Sequence, residues 1–210
     1  MKTSPVEQSQ SSSGSVTARP SGHAVWVVWL ALVAISVAGR LWQPAPNVTP
    51  LAGAAIAAGT VFANPLVAAS VPVAALAISN LVLPGYGPGL GGLCMAAVVY
   101  ASLAWPVLVG GMVRRMSART AGRITTLVGG ALASSLVFFF TTNFAHWALG
   151  NDYPHTASGL LACFAAGLPF YRWMPLGDLA WTSGFVGGLT ALGRLSPAFR
   201  PLFASPANAA

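Results

Sequence analysis

The run Ile124–Leu149 contains no Asp, Glu, Lys or Arg, and it is one of several such runs in a chain of 210 residues. A helix crossing the hydrocarbon core of a bilayer needs about 20 mostly apolar residues. Only helices and closed barrels satisfy every backbone group there, and uninterrupted apolar runs of this length favour helices. Charged side chains make up 6% of the sequence, against about 25% in soluble domains, too few to coat a soluble surface. The expected fold class is an all-α membrane protein, multi-pass in a bacterial inner (cytoplasmic) membrane, with the lipid bilayer as its main partner. The formal charge of +7 sits largely in short loops between apolar runs, where Lys and Arg set orientation. It is therefore not read as a nucleic-acid-binding surface.

Residues 1–22 are polar, Ser-rich and without hydrophobic period, which predicts a disordered cytoplasmic tail. The first span follows from Ala24 to about Leu41 and is retained rather than cleaved after Ala38. Pro44, Pro46 and Pro50 break the chain. Leu51–Phe62 is short, and only Asn64-Pro65 separates it from Leu66–Leu83, so two spans joined by a tight turn are expected. The first of these requires bilayer thinning or burial among neighbours. A glycine-rich loop ends near Gly92, and the next span reaches about Met112 with a kink at Pro106. Arg114, Arg115, Arg119 and Arg123 form the densest basic loop. Ile124–Leu149 is the fifth run and Met174–Leu192 the last. Ala157–Phe170 between them is too short to span, which suits a re-entrant or interfacial segment. The polytopic domain is expected over 23–196, with a flexible tail over 197–210.

Placing the basic loop in the cytoplasm sets the topology. With six transmembrane helices plus a short re-entrant or interfacial helix, both termini are inside. Eight basic residues then lie inside and two, Arg40 and Arg172, outside; if Ala157–Phe170 crosses, the split is seven to three. Six spans, N-in/C-in, is the better count. The loops at 42–50, 84–92 and 149–157 share the outer face.

Two of three histidines and one of three acidic residues fall between Asn143 and His155. Asn143, His146 and Trp147 form an i, i+3, i+4 stripe. Asp178 lies inside the last run with Trp181 on its face, and a carboxylate in a membrane usually faces the bundle interior or water. An outward pocket is expected, walled by Phe140, Asn143, His146, Trp147, Asp178 and Trp181. Its lid would come from loops around Asn47, Tyr86 and Asp152, Tyr153 and His155. Aromatic walls with a few polar groups suit a small-molecule ligand. The same residues also read as interfacial belt aromatics, an interhelical histidine and plain loop residues. Asp178 could equally pair with Arg172 or His146 for structure.

No HExxH, Walker loop or GxSxG motif occurs, so neither an enzyme nor a self-powered transporter is indicated, and no resident cofactor is expected. Cys94 and Cys163 lie in apolar runs without metal-ligand spacing. Ala34 and Ala38 in the first span form a small-xxx-small pair that permits close helix approach, within the chain or with a partner.

Arg40 followed by Pro46-Asn47-Val48-Thr49-Pro50 resembles an uncharacterised family of small bacterial integral membrane proteins. Phe138-Phe-Phe-Thr-Thr-Asn143, Trp147, Tyr153-Pro154, Leu168-Pro169-Phe170 and Gly177-Asp178-Leu179 resemble its second half. That family is similar in layout to the substrate-binding components of energy-coupling-factor vitamin transporters. The resemblance implies capture of a vitamin or cofactor-type molecule from the outer side and an ATPase coupling module as partner, docked at Ala34 and Ala38. Solitary cobalamin-transporting relatives ligate cobalt with a cysteine, for which Cys94 is the candidate. The family usually carries Ser-Asp where this chain has Ser79-Asn80, which puts any role for a carboxylate there in doubt. The alternative to uptake is a membrane scaffold or assembly subunit.

Overall fold

The computed structural model describes residues 21–116 and 120–203. Most of the expected N-terminal tail, Arg119 of the basic loop and the last seven positions lie outside the described residues. Eight α-helices follow in order: α1 (Gly22–Leu41), α2 (Leu51–Val61), α3 (Pro65–Ser79), α4 (Gly89–Ala104), α5 (Val107–Arg115), α6 (Thr120–Leu149), α7 (Ala157–Tyr171) and α8 (Met174–Leu195). A 3-10 turn, Arg200–Phe203, closes the chain, and no strand occurs among the described residues.

Local signals place the boundaries. Ser21 Oγ accepts from the Ala24 amide at 3.2 Å to start α1. Asn64 Oδ1 accepts from Leu66 at 2.9 Å, with Pro65 in the first turn of α3. The proline has no amide to leave unpaired there, and the turn between α2 and α3 is as tight as expected. Pro106 cannot donate to the preceding turn, so α4 and α5 form one bent unit, Gly89–Arg115, of 27 residues.

The centre of the bundle is α2. All eleven of its residues are buried, against α1, α3, α5 and α8. Its Ala and Gly residues let neighbouring backbones approach. A Cβ at Gly59 would strike the Val107 carbonyl, and one at Gly110 the Ile56 carbonyl. A helix too short to cross a bilayer is thereby accommodated by burial.

Pairwise contacts fix the relative directions. Trp29 donates to Ser70 at 2.8 Å and Arg40 donates to Ser79 at 2.5 Å, so α1 and α3 run parallel. Ser102 and Thr141 are bonded at 2.8 Å, and Val109 sits where a Cβ on Gly130 would project, so α4–α5 opposes α6. The Cys163 thiol donates to the Asn143 carbonyl at 3.4 Å, and Tyr171 packs on Phe139, so α7 also opposes α6. Asp178 meets Ser135, while Thr182 and Val186 lie beside Ile124 and Val128, so α8 continues in the direction of α7. The chain alternates through six limbs, the last broken near Trp173 into α7 and α8.

Gly22–Leu41, Gly89–Arg115 and Ala121–Leu149 are long and apolar enough to cross a membrane; α2, α3 and α7 are shorter apolar helices. The outside of the bundle carries exposed Leu30, Leu66, Leu132 and Leu161. Packing does not stop at residue 196, where a flexible tail was expected: Leu202 is buried, and Phe203 fills the space beside Gly193.

Candidate functional site

Polar groups gather where α2 begins part-way down the bundle. Because α2 starts late, the loop before it dips inward. Val48 lies against Gly177, where a Cβ would come within 2.9 Å of it, and Asn47 takes a left-handed backbone with φ 61°. A non-glycine residue rarely adopts that region, although Asn does so more readily than most. The loop thus presents Asn47 and Thr49 to a cavity of about 650 Å³, whose wall also includes Arg40, Gln43, Ser134 and Asp178.

Asp178 is 4% exposed. It accepts a 2.6 Å hydrogen bond from the Ser135 hydroxyl. Arg40 donates to Ser79 Oγ and, at 2.7 Å, to Asn80 Oδ1. Asn80 also lies beside Tyr86. The position that raised doubt for want of a carboxylate therefore serves Arg40 with an amide oxygen. Burial pushes the Tyr86 phenol up, against smaller opposite effects of Asn80 and Arg40. His146 Nε2 lies 3.1 Å from the Asp152 carboxylate, whereas Arg40 and Asp178 both hold neutral partners. The cavity wall therefore carries a guanidinium and a carboxyl group that are each hydrogen-bonded to neutral side chains.

A second cavity of about 660 Å³ adjoins the first, sharing Asn47, Phe138 and Met174. Asn143 and His146 line it together with Phe139 and Tyr171. A single pocket walled by both Asn143 and Asp178 requires them at one depth. Asp178 is instead level with Ser135, eight positions before Asn143 and eleven before His146. At 1.5 Å per residue the carboxylate sits about 16 Å deeper than the imidazole. The cause is that α8 begins where α7 has already carried the chain part-way down the bundle.

Other expected site residues fall elsewhere. Trp181 stacks on Phe185 and packs beside Gly39 and Gly53, which joins α8 to α1 and α2. Phe140 is half exposed and packs edge-on against Phe139 and Phe164. The expected lid is tied to the end of α6. Trp147 donates to the Pro154 carbonyl at 2.9 Å, His155 Nε2 meets the Gly150 carbonyl at 3.1 Å, and Tyr153 packs on His146. Arg172 lies over the Trp173 ring at 5.2 Å rather than beside Asp178. Cys94 is half-buried on α4 and lines neither cavity. Among the described residues no group of three His, Cys, Asp or Glu side chains could hold a metal. Ala34 and Ala38 are both exposed along α1.

Sequence reasoning missed Arg40, Gln43, Thr49, Ser102, Ser134 and Ser135 as site residues. The signal for Arg40 was available: a guanidinium closing an apolar span needs partners. The serines carried none, because a serine in an apolar helix ordinarily bonds its own backbone, as Ser134 does to Gly130 at 2.7 Å.

The sequence profile of the group described as "Family of unknown function (DUF6580)" matches residues 21–199. The chain belongs to that family. No curated protein and no solved structure shows a match. Membership covers both cavities and every helix, so the polar centre lies wholly within the DUF6580 region. The match agrees with the expected uncharacterised family and carries no activity with it.

Proposed function

We propose that this DUF6580 member captures a small polar molecule of vitamin or cofactor type from the outer side of a bacterial inner membrane and assists its uptake. The observation that carries the reading is Asp178: a buried carboxylate at the wall of a cavity it shares with Arg40, inside an apolar bundle. Holding a carboxylate at membrane depth costs about 2.5–3.5 kcal/mol, and one hydrogen bond from Ser135 offsets only part of that. Arg40 would meet an anionic or carbonyl group of the ligand, Asp178 a donor, and Phe138 its apolar body.

The six alternating limbs are read as six membrane crossings. Arg114, Arg123 and Arg194 share one end of the bundle, which the bias of basic residues assigns to the cytoplasm. Both termini are then inside, and Asn47, Tyr86 and Asp152 face out. With no nucleotide motif in the chain, delivery needs a partner ATPase module or tilting of the whole protein.

The test is a thermal-shift screen of the purified chain across vitamins and cofactors, paired with uptake by cells carrying Asp178→Ala. A ligand that raises the melting temperature of the wild type only, with uptake lost in the variant, is the expected result. No shift with any ligand, together with unchanged uptake, would rule the reading out. A scaffold role is the second reading, favoured by the exposure of Ala34 and Ala38 on α1. It predicts a stable copurifying partner that is lost on Ala34→Leu, with no ligand bound.

A further inference from the structure

We propose that the second cavity receives a planar nitrogen heterocycle belonging to the captured molecule, whose polar chain reaches the cavity of Arg40 and Asp178; this rests on the capture function proposed above. Four of the side chains around the second cavity are rings: Phe138 and Phe139 from α6, and Phe170 and Tyr171 from the last turn of α7. Phe139 is buried, and its ring is held among Phe140, Phe164 and Tyr171 at 5.4, 5.7 and 4.8 Å between centroids. Fixed aromatic faces lose little freedom when they pack on a ligand, and they favour a second ring over a flexible alkyl chain. Met95 and Met174 complete the apolar wall with thioethers that adapt to ring edges.

Polar groups around this cavity specify the ring. Thr142 donates its hydroxyl hydrogen to the Phe138 carbonyl at 2.7 Å, so it has acceptor lone pairs to offer. Asn143 donates one amide hydrogen to the Phe139 carbonyl at 2.8 Å; its second amide hydrogen and its oxygen have no partner among the described residues. Gly167 keeps that oxygen uncovered, since a Cβ there would stand 2.6 Å from it. A carboxamide with one N–H and its C=O free matches adjacent acceptor and donor atoms on the edge of a nitrogen heterocycle, the pairing that Asn makes with adenine. A hydrocarbon ring or an acyl chain would leave these groups unpaired. The chain joined to the ring has a short distance to cover. Asn47, Phe138 and Met174 line both cavities, and Phe138 is three positions from Ser135, the partner of Asp178. That is about 5 Å along α6, a span of a few bonds, so one molecule can occupy both cavities.

Extraction of the full chain purified from its own membranes, with the released molecule identified by mass spectrometry and ultraviolet absorption, tests the assignment. A nitrogen heterocycle bearing a polar chain is expected. Thr142→Phe fills the ring cavity and should lower retention of that molecule roughly tenfold or more, the equivalent of one ring contact and one hydrogen bond. Asn143→Leu, close in size but without the amide, should lower retention in the same direction. Thr125→Phe, at an exposed position of α6 that lines neither cavity, should retain it fully. An extracted molecule without an aromatic ring, or one retained equally by Thr142→Phe and Asn143→Leu, overturns the assignment and leaves capture intact. A wild type that yields no molecule removes the capture function and, with it, this subsite.

Discussion

At the scale of single residues, Arg40 and Asp178 organise the polar centre, and each is held by neutral partners. Ser79 can serve Arg40 because its hydroxyl donates to the Ala75 carbonyl at 2.7 Å while its lone pairs accept from the guanidinium. Asn80 offers an amide oxygen and no charge. The guanidinium keeps its full charge beside the cavity, available to an incoming group. Arg40→Gln should preserve the α1–α3 contact in part, since an amide can still donate to Ser79. It should weaken ligand binding by about tenfold or more, the loss of one charge-assisted hydrogen bond. Titration of purified variant against wild type measures this, and equal affinity would remove Arg40 from the site. Asp178 was legible in the sequence because a carboxylate in an apolar run demands an explanation. Its partner was not, because Ser135 sits next to Ser134 in a run where nothing distinguishes either from an ordinary helix serine.

At the scale of elements, the short helices decide the geometry. Burial of α2 on every side depends on Gly59 and Gly110 at its crossing with α5. Gly59→Val would force the Val107 carbonyl away and should destabilise the protein by about 1–3 kcal/mol, the usual cost of overpacking. Gly184→Ala, where a Cβ meets nothing within 4 Å, is the matched control. Melting curves in detergent should separate the two, and similar curves would contradict the close crossing. Helix existence was readable from run length and proline breaks: the turn at Asn64-Pro65 and the bend at Pro106 both lie where the sequence placed them. The depth of α8 was not readable. Run length sets how long a helix is, whereas its height in the bundle depends on how far α7 first descends along α6. That offset of about 16 Å moved Asp178 away from His146. It also left His146 to pair with Asp152 and fasten the loop to the end of α6.

At the scale of the whole molecule, polar chemistry is divided by end. One end gathers Arg114, Arg123 and Arg194. The other carries the His146–Asp152 pair and the Tyr86 loop. Cysteines placed at Asn47 and Asp152 should react with a membrane-impermeant thiol reagent added outside intact cells, and one at Arg115 should not. Labelling of all three, or of Arg115 alone, would contradict the proposed six crossings with both termini inside. The overall class followed from the scarcity of charge, and the arginine-rich end followed from the loops. The cavity could not be read in advance because it is built by a dipping loop, two serines and a shortened helix, none of which alters hydropathy. Its role as a ligand site is tested most directly by native mass spectrometry of the protein purified from its own membranes, wild type beside Asp178→Asn. The account predicts one small-molecule adduct on the wild type and its loss from an equally stable variant. A wild type that carries no small molecule under any growth condition, or an adduct retained equally by both, would contradict it.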